Sequence, residues 1–93
     1  MALTPERIDA IAGEAGRLLG EGQRLDAVVR AVKAANPGLY VAGTQTSVMA
    51  EEPFREEERF SLFLVDGSQH CWVLTRKPEA AAGILIAERD EDL

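Results

Sequence analysis

An α+β fold, with two N-terminal helices packed on an antiparallel sheet of three to four strands, follows from three features of the chain. Apolar residues recur at helical spacing as far as Ala35. Asn36-Pro37-Gly38 then stops the pattern. From Leu39 the period becomes two, and Asp66-Gly67 carries the signature of a hairpin turn. The 93 residues suffice for one domain, divided into a helical half at 1–37 and a β-rich half at 38–93. With 46% hydrophobic and 28% charged residues, the chain can bury a core and is not expected to be disordered.

The first helix starts at Thr4-Pro5-Glu6. Thr4 can accept from a first-turn amide, Pro5 suits the first helical position, and Glu6 complements the dipole. Ile8, Ile11, Ala12, Ala15, Leu18 and Leu19 make its apolar face. Gly13 and Gly16 weaken it or let a second helix approach, and Gly20-Glu21-Gly22 ends it. The second helix is expected over residues 23–35, with Leu25, Val28, Val29 and Val32 as its stripe. A helix-turn-helix DNA reader is disfavoured, because residues 1–38 hold five basic and five acidic side chains and present no cationic face.

Residues 39–49 read as the first strand, with Gly43 marking a bulge or a close backbone contact. "RFSLFLV" (59–65) and "HCWVLTR" (70–76) read as the two arms of a hairpin. For a two-residue turn Leu62 pairs with Cys71 and Phe60 with Val73; a four-residue loop shifts the pairs and keeps the faces. Beyond Lys77 both helix and strand are compatible with the residues. The preferred reading is a helix over 78–82 and a strand over 84–88, with Ile84, Ile86 and Glu88 on one face. The expected core is Ile8, Ile11, Leu18, Leu25, Val28, Val32, Phe60, Leu62, Leu64, Cys71 and Val73.

The only histidine, cysteine and tryptophan are consecutive: His70, Cys71 and Trp72. On a strand, neighbours point to opposite faces, so His70 cannot serve Cys71 as a base. Cys71 is better read as a small buried hydrophobe than as a reactive thiol. One histidine and one cysteine cannot make a structural zinc or iron–sulfur site. No phosphate-binding glycine loop follows a strand, and "EEPFREEE" lacks the ligand spacing of a calcium-binding loop. No catalytic residue, metal site or cofactor is therefore assigned, and enzymatic function is not expected.

The net charge of −6 arises wholly beyond residue 38, much of it at residues 51–59 and 88–93. Such a surface repels phosphate backbones, so nucleic acid is not an expected partner. No apolar run approaches the ~20 residues of a membrane span, and the N-terminus is not a secretory signal, so a cytoplasmic protein is expected. The solvent-side face of the hairpin combines Phe63, Trp72 and Leu74 with His70. Three such apolar groups predict either a cover from the chain itself, by the C-terminal segment or the 51–59 loop, or an interface with a protein partner, a second copy being the simplest. His70 on that face is read as a polar strand residue, with a pH-sensing role as the alternative. The expected function is a non-catalytic protein-binding module. The competing reading is a small-ligand domain or an unusual enzyme that uses acidic residues.

The segment "RFSLFLVDGSQHCWVLT", followed by "AAGILIAE", resembles a small uncharacterised family encoded among bacterial nitrogen-fixation genes. The resemblance covers the C-terminal half. It implies an accessory role near nitrogenase assembly and transfers no catalytic residue.

Overall fold

The computed structural model describes residues 3–66 and 73–89. Helix α1 (Pro5–Gly20) and helix α2 (Leu25–Ala35) precede five strands: β1 (Tyr40–Gln45), β2 (Arg55–Glu56), β3 (Phe60–Asp66), β4 (Val73–Thr75) and β5 (Ala81–Glu88). The fold is α+β, with both helices N-terminal and packed on the sheet.

Thr4 caps α1 as its sequence predicts, its Oγ1 accepting from the Arg7 amide at 3.2 Å. The helix ends in a Schellman turn. The Gln23 amide donates to the Leu18 carbonyl and the Gly22 amide to that of Leu19. Gly22 takes φ of +89°, which a side chain would oppose. This turn uses up Gln23, so α2 begins at Leu25 and not at 23. The two helices are clamped at their far ends. Arg7 donates to Asn36 Oδ1 at 2.7 Å, and Asn36 Nδ2 donates to the Val32 carbonyl at 2.8 Å. Pro37 and Gly38 then make a type II turn, with Leu39 N–H donating to Asn36 C=O and φ of +85° at Gly38.

The strand order is β1-β5-β3-β2, with β4 also pairing with β3. The sheet is mixed, a departure from the expected all-antiparallel one, because β1 runs parallel to β5. The cause is long-range. The C-terminal segment enters between β1 and β3, where its two faces are both covered, and "AAGILIA" is apolar enough for that place. Ala81 begins the strand directly, so the expected helix at 78–82 shrinks to a single 3₁₀ turn, Pro78–Ala80. The first strand is likewise shorter than expected and ends in a 3₁₀ turn at Thr46–Val48.

Antiparallel β3 and β5 are the spine, with Leu62 opposite Ile86 and Leu64 opposite Ile84. These four side chains, with Phe60, Val41 and the stripes of both helices, make the core. Ile8, Ile11, Val28, Val32, Phe60, Leu62 and Leu64 are buried as expected, and Leu18 and Leu25 pack at its margin. Val73 is a correction. It pairs with Asp66, not Phe60, and is 50% exposed, since it stands at the end of the sheet beyond the helices' cover. Leu62 pairs with Arg55 and Ile86, so the expected Leu62–Cys71 pair is also overturned; Cys71 itself lies outside the described residues. The hairpin pairs Leu64 with Thr75, which moves the register and preserves which residues share a face.

Gly13 and Gly16 do not admit α2. Gly13 faces open space, and Gly16 meets the Phe60 ring of the sheet at 3.6 Å. The close approach falls at Gly43, where a Cβ would stand 2.9 Å from Val29 Cγ2 and 3.0 Å from Leu25 Cγ.

Candidate functional site

Of the four residues expected to form an interface, the structure describes two. His70 and Trp72 lie outside the described residues. Phe63 and Leu74 both belong to the face of the sheet away from the helices, as the alternation predicts. Phe63, however, is only 3% exposed. β3 is buried on both faces from Phe60 to Val65 because residues 46–54 fold over the outer one. Thr46, Met49 and Pro53 line one cleft with Ser61 and Phe63, and Glu51, Glu52 and Phe54 line a second with Phe63 and Leu74. The chain thus supplies its own cover for this part of the face, and Phe63 is a packing residue within it.

The cover is held at its far end by Arg55. Its guanidinium pairs with Glu57 in the same segment and with Asp9 on α1. Hydrogen bonding to Glu57 first, then to Asp9, raises the Arg55 pKa above its ordinary value. Arg89 Nε donates to the Glu57 carbonyl at 3.1 Å, joining the end of β5 to the same loop. The acidic run is thereby built into the fold at Glu57 and is exposed at Glu56 and Glu58.

At the other end of the outer face the cover is incomplete. Tyr40, Gly83, Val65 and Leu74 stand side by side on four neighbouring strands. Gly83 has no side chain because Tyr40 occupies the space: a Cβ there would lie 2.7 Å from both the Tyr40 Cβ and its carbonyl oxygen. Tyr40 remains 39% exposed, and Leu74 and Leu85 are half-buried. Tyr40 was not singled out from the sequence. The signal that could have found it is Gly83 inside a β pattern, which marks a close approach by a neighbour.

The second cleft opens beside Leu74. It holds about 230 Å³, with Phe54, Phe63, Leu74 and Thr75 as walls and Glu51, Glu52 and Arg76 at the rim. Arg76 and Glu52 pair across it at 3.2 Å, both well exposed. Among the described residues there is no group of three or more His, Cys, Asp or Glu placed to hold a metal ion. Nor is any described helix long and apolar enough to cross a membrane. Comparison with family models, curated proteins and solved structures finds no match.

Proposed function

We propose that the chain is a non-catalytic protein-binding module and that its contact surface is the incompletely covered end of the outer face. The supporting observation is that Tyr40 is exposed and Leu85 and Leu74 are half-buried on that face, flanking the buried Gly83 and Val65. Apolar groups left at one end of a face that is otherwise closed are placed where a partner can remove them from water. The resemblance of the C-terminal half supports an accessory role close to nitrogenase assembly.

A photo-cross-linking residue at Leu74, introduced in the cell that makes the protein, tests this. A discrete heavier species is expected from that position and not from the same residue at Glu14, on the helical side. Equal, diffuse labelling from both positions would contradict the proposal.

A second reading attaches to the cleft beside Leu74, whose aromatic walls and carboxylate rim suit a small organic cation. Displacement of the Leu74 and Thr75 amide resonances by tetramethylammonium, abolished in Glu51→Gln, would favour it. Unmoved resonances would leave the protein-binding reading alone.

A further inference from the structure

The two edges of the sheet are built differently. One consists of β2, of two residues, and β4, of three among the described residues, both laid against β3. It is short and broken, and it carries Arg55, Glu56 and the acidic run around them, the devices that protect an edge from pairing. The other edge is β1, six residues long, with no proline, no charge and an unbroken register to β5. No described strand pairs with its outer side. Gly43 and Gln45 are exposed along it.

We propose that β1 pairs antiparallel with β1 of a second copy, joining the two five-stranded sheets into one. This goes beyond the binding reading above: it concerns the backbone edge of β1, which meets that surface only at Tyr40. Charge argues for a second copy as occupant. Residues 39–50 contain no charged side chain, and the acidic excess of this −6 chain lies at the far edge and tail. Two copies can therefore meet here without opposing like charges, which is not true of the other edge. Geometry permits it as well. A twofold axis normal to the sheet keeps both helical layers on one side, and paired residues must then share a face. Ala42 or Gly43 accordingly sits on the axis, and both are small enough for the backbones to close. The buried ring of Phe63 excludes it as the anchor of a dimer, whereas the β1 edge requires no rearrangement of the cover.

Sedimentation over a wide dilution range, with Ala42→Lys and Ala42→Glu, provides the test. Wild type is expected to pass from monomer to dimer as concentration rises. Each charged variant should raise the dissociation constant about fivefold or more, because like charges meet across the axis. Mixing the two variants should restore the dimer. Amide exchange of wild type at low and high concentration covers the case in which a variant unfolds. Residues 41–45 should become protected as concentration rises, and residues 55–56 should not. A wild type that stays monomeric into the millimolar range, a dimer that survives both substitutions, or exchange at residues 41–45 that ignores concentration would each overturn the proposal.

Discussion

Gly83 and Gly43 look alike in the sequence, each a glycine inside a strand, yet the structure uses them for different ends. At Gly83 an added Cβ meets the Tyr40 backbone carbonyl, which cannot step aside without disturbing the β1–β5 pairing. At Gly43 it meets the ends of Val29 and Leu25, which can turn. Gly83→Ala should therefore cost about 2 kcal/mol and Gly43→Ala about 1 kcal/mol, measured by denaturant titration. The reverse order would show that Tyr40 does not lie over β5. Part of this was readable beforehand: a glycine interrupting β alternation announces a close neighbour. Which neighbour it is depends on a parallel pairing between residues more than forty apart, and no local pattern carries that.

Among the elements, α1 and the β3–β5 pair were the most legible, because their signals agree. Thr4-Pro5-Glu6, the apolar stripe and the Gly22 turn all describe the same helix. Within it, Gly13 and Gly16 serve neither a turn nor a close approach. Replacing either with Ala should stabilise the protein by up to about 1 kcal/mol, since helix propensity rises and nothing is displaced. A loss of stability at Gly16 would mean that Phe60 packs more tightly on α1 than the 3.6 Å contact indicates. The hairpin was less legible. Asp66-Gly67 is a genuine turn signal, but local turn preference competes with the burial of Ile84 and Ile86 against Leu64 and Leu62. Within the described residues β4 is Val73–Thr75, and the strand set against Leu62 and Leu64 in the core is β5. The acidic loop at 51–59 was one of two candidate covers for the outer face, and its first residues, 51–54, do lie against Phe63. Its tie to α1 through Arg55 is partly exposed, so Arg55→Ala should cost about 1 kcal/mol or less in thermal unfolding. The raised Arg55 pKa keeps its side of the tie charged up to strongly alkaline pH and adds stability that is lost only above its ordinary value. Titration of Arg55 therefore contributes no pH dependence near neutrality. A cost several times larger would mark the tie as a hinge of the whole cover.

For the molecule as a whole, the main consequence is a division of one sheet into three surfaces. The helices close one face, residues 46–54 close part of the other, and what remains for contact is the Tyr40–Leu74 end and the β1 edge. The sequence offered an interface or a covering segment from the chain itself for Phe63; choosing the cover required the path of residues 46–54, whose Met49, Pro53 and Phe54 show no periodicity that would place them against Phe63. The position of Phe63 can be read directly from the stability of Phe63→Ala in guanidinium chloride, compared with wild type at equal slope. A core phenylalanine predicts a loss of about 3–5 kcal/mol or outright unfolding. A loss below about 1 kcal/mol would contradict the self-covered face and return Phe63 to the contact surface.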